Sequence, residues 1–255
     1  MMLNAQSIRS KFDEFKCYVA EEKPDFVCIT EAWVSEGYFG DNLQDYEIQG
    51  YNMFSCNRGP AVKGGGVMLY VNSLFSSQKV TDGVKNVSVE SIWLDVAVGK
   101  GNNNKLRIGA LYRSGTLPHS QQLELDKVIC EEISRNFQRK CLILGDFNLK
   151  GYENVGVGSP SCKLFRKCLE EDLFLHQFVM EPTRQGSFLD LVFSDLSDLV
   201  QDLTVGETLG RSDHNIVRFK AQVAGTIKDN LAKIRNFNRE DFDCVREALS
   251  AIKWE

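Results

Sequence analysis

The chain has 255 residues, of which 43% are hydrophobic and 25% charged, with a formal net charge of -5 and a pI of about 5.4. This composition is ordinary for a globular protein that buries a core without disulfides, which excludes fibrous and low-complexity classes. The acidic balance disfavours a protein that holds nucleic acid by bulk positive charge, although a metal site built from carboxylates would itself add negative charge.

The first half of the chain combines one helix signal with four strand signals. Apolar residues recur at helical spacing over 8–19, after Ser7 as a candidate N-cap and before Pro24. Four short apolar runs are typical of strands, and the last two predict a hairpin with a turn at 102–104. These runs lie at 25–30, 67–71, 91–98 and 106–112.

The second half predicts two helices, with Ser120 and Ser161 as their candidate N-caps. The run at 141–147 is the clearest buried-strand signal of the chain, and later runs at 188–194 and 215–223 also predict strands. Several strands joined by short turns and interspersed with helices predict an α/β (α+β) domain. Two mixed sheets would pack together in it, with the helices outside.

The C-terminal segment differs from the rest of the chain. Residues 224–236 are polar and predict a linker, whereas apolar residues share one face of a predicted helix over 238–252. We therefore expect one domain over 1–223 and a separate segment over 224–255.

Eight cysteines are scattered along the chain without any CxxC pair, so zinc-ribbon spacing is absent. Cys28 and Cys141 lie inside apolar runs, as buried thiols do. We expect all eight to be reduced in an intracellular protein of the nucleus or cytoplasm, because the N-terminus resembles no signal or transit peptide. No stretch approaches about 18 apolar residues, so no membrane span is expected.

Acids, amides and a histidine stand at the ends of several predicted strands, where sheets of this kind carry their sites. Each has an ordinary structural alternative, since a carboxylate after a strand is commonly a turn former and Asn4 could cap the first helix. The candidates are Asn4, Glu31, Asp146, Asn148, Asp190, Asp213 and His214.

In chain order, the segments LN, ITE, YR, GDFN, LD and SDH resemble the motif series of the endonuclease/exonuclease/phosphatase superfamily, over about residues 3–220. That superfamily includes apurinic endonucleases and DNase I-like enzymes, so the resemblance implies a four-layer DNase I-like sandwich. The longer segments LNAQSI, ITEAW, ALYR, ILGDFN, EPTR, SFLDLVF and GRSDHNIV are similar to the endonuclease domain of non-LTR retrotransposons. Residues 237–255 resemble the linker that precedes reverse transcriptase there, which implies DNA as substrate, a reverse transcriptase as possible partner in the parent element, and a monomer.

The resemblance also implies a divalent cation, Mg²⁺ or Mn²⁺, with Glu31 as its main protein ligand. Asn4 and Asp213 would lie at or near its coordination shell. Asp146 would orient or deprotonate the attacking water, with Asn148 holding the phosphate or Asp146 in place. The identity of the general base stays open at this stage.

The histidine and the basic residues receive their roles from the same resemblance. His214, supported by Asp190, would donate a hydrogen bond to a phosphate oxygen. The Tyr112 hydroxyl would contact phosphate, although a strand-end aromatic with one solvated tip explains that position nearly as well. DNA backbone contacts, or else plain surface charge, are expected of Arg113, Arg184 and Arg211.

Two alternatives to a DNA endonuclease remain open. One is a phosphodiesterase or phosphatase that acts on a small molecule or a lipid phosphate. The other is a catalytically weak retrotransposon remnant that serves as a binding module. Only residues 1–3 precede Asn4, where the family has a longer strand, so we expect a truncated first strand and a weakened fold, and the sequence determines the position of Asn4 least among the site residues.

Overall fold

The computed structural model describes residues 1–34, 42–57, 64–81, 89–99, 104–154 and 158–223. The chain divides into two compact units, Met1–Gly225 and Thr226–Glu255, and every described residue belongs to the first. The predicted linker at 224–236 and helix at 238–252 therefore lie outside the described residues, as does most of the predicted turn at 102–104.

Two six-stranded mixed sheets form the centre of the domain. In chain order the strands are β1 (Met2–Asn4), β2 (Phe26–Thr30), β3 (Tyr51–Cys56), β4 (Val67–Asn72), β5 (Ser77–Lys79), β6 (Glu90–Ala97), β7 (Lys105–Tyr112), β8 (Cys141–Asp146), β9 (His176–Gln177), β10 (Asp190–Ser194), β11 (Val200–Thr208) and β12 (Asn215–Ala221). Sheet A has the order β11-β12-β1-β2-β4-β3, and sheet B has the order β5-β6-β7-β8-β10-β9. The pairs β1–β2 and β7–β8 are parallel, and the other pairs are antiparallel.

Helices cover the outer faces of both sheets. They are α1 (Phe12–Glu22), α2 (His119–Asn136) and α3 (Pro160–Arg166), and a π-helical turn at Lys167–Asp172 continues α3. Apolar clusters fill the space between the sheets, between sheet A and α1, and between sheet B and the other two helices. The layers thus run helix, sheet, sheet, helix, which confirms the predicted DNase I-like sandwich. None of the described helices is long and apolar enough to cross a membrane.

The predicted helix starts need correction. Ser7 has a positive φ of 77° and its backbone N–H bonds to the loop after β2, so it lies outside the helix. Ser120 lies inside α2, which begins one residue earlier. The N-cap of α3 is Ser159 rather than Ser161, because Pro160 is preorganised for the first helical position.

Five strands lack an apolar run that predicts them, namely β1, β3, β5, β9 and β11, although the family resemblance implies a truncated β1. Four of them are the edges of the two sheets, where one side is solvated and no apolar run is required. The fifth, β1, is short, yet it lies at the centre of sheet A, where Met2 pairs with Cys28 on one side and Val217 on the other. Asn4 at the end of β1 is fully buried, and the weakening of the fold by the short strand stays a prediction.

Seven cysteines fall within the described residues, and all seven are free. Burial raises the pKa of Cys28 and of Cys141 to about 12, so neither thiol ionises at neutral pH. The eighth, Cys244, lies outside the described residues, and its reduced state stays a prediction.

Candidate active site

The predicted carboxylates and amides meet at one end of the two sheets. Asp146 ends β8 and pairs in register with Tyr112 on β7 and Asp190 on β10. Leu144, two residues before Asp146, belongs to the core between the sheets, so Asp146 also faces sheet A. From that sheet, the Asn4 amide nitrogen donates a hydrogen bond of 2.9 Å to Asp146 Oδ2, which joins the two sheets at the site.

Asn4 holds two carboxylates together. Its Nδ2 also donates to Glu31 Oε1 at 3.0 Å, while its Oδ1 accepts the Gln6 backbone N–H. The other Glu31 oxygen accepts the Trp33 indole N–H at 3.1 Å. Both Glu31 (φ 49°) and Trp33 (φ 56°) have left-handed backbone conformations, which are unfavourable for non-glycine residues and recur at functional sites. The loop after β2 is therefore strained in a way that places Glu31 beside Asp146.

The end of β8 depends on a glycine. Gly145 has a φ of 149°, and a Cβ built there would lie 1.8 Å from the Leu111 carbonyl oxygen on β7. Only glycine permits this approach. Three residues after this glycine, Asn148 (φ 49°) donates from its backbone N–H to Asp146 Oδ1 at 2.9 Å and from its side chain to Oδ2 at 3.1 Å. Both carboxylate oxygens of Asp146 are thus fixed by amide donors.

A carboxylate–imidazole pair completes the site. His214 Nδ1 lies 2.7 Å from Asp190 Oδ2, and both side chains are fully buried. Within the described part of the chain, Asp190 Oδ1 and His214 Nε2 have no hydrogen-bond partner. A buried polar atom without a partner is rare and carries a desolvation penalty, so these two atoms indicate a place for a ligand.

The electrostatics of the site follow from its burial. Burial raises the pKa of Asp146 well above its ordinary value and the Asp190 charge adds to the effect, while His214 and the Asn148 N–H oppose it. Burial lowers the pKa of His214, but the hydrogen bond and charge of Asp190, together with the charge of Asp146, outweigh it. The His214 pKa therefore lies above its ordinary value of 6.5.

Asp146, Asp190 and His214 bring three possible ligand atoms within 4.8 Å of one another, so this buried group could hold a metal ion. With Glu31 beside it, the donor set is dominated by carboxylate oxygens, which suits a hard divalent cation. Asn4 presents its nitrogen rather than its oxygen to the carboxylates, so an Asn4 oxygen ligand stays a prediction.

Asp213 lies at the rim of the site. Its Oδ1 accepts a hydrogen bond of 2.6 Å from Gln6 Nε2 and lies 3.9 Å from His214 Nε2. Its Oδ2 forms an ion pair with Arg184 at 2.7 Å. The metal-binding role of Asp213 and the DNA-binding role of Arg184 stay predictions, because each side chain is occupied by the other in this structure.

The DNA contact predicted for Arg113 is wrong. Its side chain is buried, and it forms an ion pair with Asp126 at 2.6 Å, because α2 covers the end of β7. Tyr112 is also buried and packs in the core between the sheets, whereas Arg211 is exposed on the loop before β12. The phosphate contacts expected of Tyr112 and Arg211 stay predictions.

Two residues that position the site were not among the sequence candidates. Thr183 is fully buried, and its hydroxyl accepts the backbone N–H of Asp190 at 3.1 Å. The Ser212 hydroxyl donates to the Asn4 carbonyl at 2.7 Å and accepts the His214 N–H at 3.3 Å. Thr183 lies in the EPTR segment and Ser212 in the GRSDHNIV segment. Their position in the sequence next to site residues is the signal that could have identified them.

The family model for the Endonuclease/Exonuclease/phosphatase family matches residues 3–214. The endonuclease domain of TRAS1, a telomere-specific non-LTR retrotransposon, has a similar structure, with 18% identity, a TM-score of 0.65, and coverage of 87% of this chain and 96% of that one. The AP endonuclease LMAP from Leishmania major matches with 15% identity, a TM-score of 0.66, and coverage of 86% and 85%. The 3′ phosphatase NExo from Neisseria, bound to product DNA hairpin, matches with 15% identity, a TM-score of 0.61, and coverage of 87% and 98%.

No curated protein matches the chain. The structural similarities, at such low identity, establish the shared fold, whereas the family model spans the region from β1 to the catalytic histidine candidate. The chain therefore belongs to the Endonuclease/Exonuclease/phosphatase family, a family of hydrolases.

Proposed function

We propose that this protein is a divalent-metal-dependent endonuclease that nicks DNA by in-line attack of an activated water. The observation that carries the proposal is the unpartnered His214 Nε2 and Asp190 Oδ1 beside the buried carboxylates Asp146 and Glu31. DNA as the substrate is supported by the ALYR and EPTR segments and the linker-like C-terminal segment, which are similar to retrotransposon endonucleases, and by the endonuclease names and the bound DNA hairpin of the similar structures.

His214 would bind the scissile phosphate. Its raised pKa favours the protonated ring, in which Nδ1–H is held by Asp190 and Nε2–H is free to donate to a phosphate oxygen. A donor that is already oriented in a buried site stabilises the negative charge that develops during phosphoryl transfer.

Asp146 would orient the attacking water and accept its proton. Its carboxylate is fixed by the amides of Asn4 and Asn148, so it needs no reorganisation during the reaction. A carboxylate whose pKa is raised by burial is a stronger base than one in water. That property suits the general-base role left open by the sequence.

Glu31 would be the main ligand of a Mg²⁺ or Mn²⁺ ion, with Asn4 and Asp213 near its coordination shell. A bound divalent cation would neutralise charge on the phosphate and leaving oxygens. We expect the protein to act as a monomer inside the cell, and beside a reverse transcriptase where a parent element supplies one.

Nicking of supercoiled plasmid tests the proposal directly. Wild type should relax the plasmid with Mg²⁺ or Mn²⁺ and not with a chelator, and Glu31→Ala should lose the activity. Glu21→Ala is the matched control, because Glu21 is exposed on α1, away from the site residues. A plasmid left intact by folded wild type with either metal would overturn the DNA proposal.

A second substrate series separates the alternatives. Hydrolysis of a small phosphodiester or an inositol phosphate without plasmid nicking would move the proposal to the small-molecule branch. Absence of hydrolysis on every substrate, with DNA binding retained in a gel-shift assay, would indicate a binding module instead.

A further inference from the structure

Arg113 and Asp126 form a buried ion pair next to the candidate active site. Arg113 Nε donates to Asp126 Oδ1 at 2.6 Å and Nη2 donates to Oδ2 at 3.0 Å, the parallel geometry that a guanidinium makes with a carboxylate. Arg113 is 4% exposed and Asp126 is fully buried on α2. Gln122, one helical turn earlier, donates a further hydrogen bond of 3.2 Å to Asp126 Oδ1. The pair is therefore desolvated and held from both sides.

The third guanidinium nitrogen points away from the pair, to the loop that follows β8. Arg113 Nη1 donates to the carbonyl oxygens of Phe147 at 3.2 Å and Asn148 at 3.1 Å. In return, the Asn148 side chain donates to the Arg113 carbonyl at 2.9 Å, and the Arg113 N–H donates to the Asp146 carbonyl at 2.9 Å. Arg113 thus contacts all three residues of the loop from Asp146 to Asn148.

This loop needs external support. Asn148 has a left-handed backbone, which most non-glycine residues avoid and asparagine adopts mainly where its surroundings favour it. The same residue supplies a backbone and a side-chain donor to Asp146. A shift of Asn148 would therefore remove two of the donors that orient the Asp146 carboxylate.

A second ion pair on the same strand provides a comparison. Arg107, at the opposite end of β7, donates to Asp95 at 2.6 and 3.3 Å and to the Asn136 carbonyl at 2.7 Å. The hydrogen bonds of its side chain go to β6, to the end of α2 and to Gln138 just beyond it, and none of these partners is a site residue. Both are arginine–carboxylate pairs, but only Arg113 also donates hydrogen bonds to the loop that carries Asn148.

We propose that Arg113 and Asp126 are positioning residues that hold Asn148, and through it Asp146, in the geometry that the reaction requires. The inference rests on the proposed function of Asp146. An apolar pair of the same volume could fill the space, but it could not donate to the two loop carbonyls, so packing alone does not account for Arg113.

The first test compares Arg113→Lys and Asp126→Asn with the control variants Arg107→Lys and Asp95→Asn. In plasmid nicking at saturating Mg²⁺, we expect the site-end variants to lower kcat by roughly 10-fold to 100-fold with KM nearly unchanged, since small misplacements of a reacting group have effects of this size. The control variants should keep kcat, and they should lose less thermal stability because Arg107 and Asp95 are more exposed than Arg113 and Asp126. Equal kcat losses in both pairs would overturn the proposal.

The second test asks whether Arg113 acts through Asn148. Adding Arg113→Lys to an Asn148→Ala background should lower kcat far less than it does in wild type, because the contact it supports is already gone. Full additivity would show that Arg113 acts by another route and would overturn the proposal.

The third test does not depend on activity. Hydrogen exchange at the Asn148 backbone amide, which donates to Asp146 Oδ1, should accelerate in Arg113→Lys and Asp126→Asn but not in the control variants. Acceleration in an enzyme that cuts no phosphodiester would support the positioning contact and refute the proposed function. Unchanged exchange in both site-end variants would refute the positioning contact itself.

Discussion

Two neighbouring rows of side chains on the inner face of sheet B differ sharply in chemistry, although the same four strands carry them. The inner row is entirely apolar and fully buried, and consists of Ile92, Ala110, Leu144 and Val192 in register. The outer row, at the strand ends, holds three carboxyl groups and a phenol, namely Glu90, Tyr112, Asp146 and Asp190. Each outer-row residue is also 8% exposed or less.

The difference separates stability from function. The inner row removes apolar area from water, at about 25 cal/mol per Å². The outer row pays a desolvation cost that the amides of Asn4 and Asn148 and the ring of His214 offset only in part, as the unpartnered Asp190 Oδ1 shows. Substitutions in the two rows should therefore have opposite effects on stability and activity.

The largest effect is expected between the two rows, at Gly145. In Gly145→Ala the new methyl group would lie 1.8 Å from the Leu111 carbonyl oxygen, so β7 and β8 cannot pair and no cooperatively folded protein should form. Circular dichroism during thermal melting measures this. Gly186→Ala is the control, because it also has a positive φ but meets nothing within 4 Å, and it should melt within a few degrees of wild type.

The outer row is tested by Asp146→Asn. Activity should fall by about 1,000-fold, within the range for loss of a general base, because an amide cannot take the proton of the attacking water. The melting temperature should stay the same or rise, since a buried carboxylate is removed. Plasmid nicking and calorimetry on one preparation would measure both, and a large loss of stability would place Asp146 with the structural core.

The inner row is tested by Leu144→Ala. The cavity should lower the free energy of unfolding by about 2–5 kcal/mol, measured by urea denaturation. The kcat of the folded fraction should change only a few-fold. If activity fell as far as in Asp146→Asn, the two rows would not be separable in function.

The pH dependence of stability sharpens the same contrast. Burial and the Asp190 charge raise the pKa of Asp146. Burial lowers the pKa of His214, but Asp190 and Asp146 outweigh this effect, so the His214 pKa is also raised. A group with a raised folded-state pKa stabilises the fold below its unfolded pKa, and that contribution is lost as pH rises through the folded pKa. The stabilising contribution of each group therefore begins to fall near pH 3.8 for Asp146 and near pH 6.5 for His214.

Urea titrations in chelator from about pH 4 to about pH 9 would measure this. The stability of wild type should decline with rising pH, and the advantage of Asp146→Asn over wild type should grow. An advantage that stays constant across this range would contradict the raised pKa of Asp146.

The smallest effect is expected outside both rows, at the C-terminal segment. Deleting residues 228–255 should leave nicking activity and melting temperature nearly unchanged, because an isolated amphipathic helix contributes little stability in water. A drop of many degrees on deletion would move the domain boundary beyond residue 224.

Much of this fold was predictable because its central strands are buried on both faces. The run at 141–147 and the run at 67–71 are continuous apolar segments for that reason, and both became central strands. The edge strands β3, β5, β9 and β11 left no such signal, because a solvated face tolerates polar residues. The helix starts were misplaced at Ser7, Ser120 and Ser161. The Ser7 N–H bonds to the loop after β2, and α2 and α3 each begin one residue before the predicted serine.

The sequence by itself determined the main candidates for the site, because motif order and strand-end position are properties of the chain, although Thr183 and Ser212 were not among them. Asn4, Glu31, Asp146 and His214 could be identified in this way before any geometry was known. Only the tertiary structure decided which contacts each side chain makes there. Contacts between segments that are far apart in sequence direct the Asn4 nitrogen to two carboxylates. They also leave His214 Nε2 without a hydrogen-bond partner among the described residues, and they bury Arg113 against Asp126 of α2.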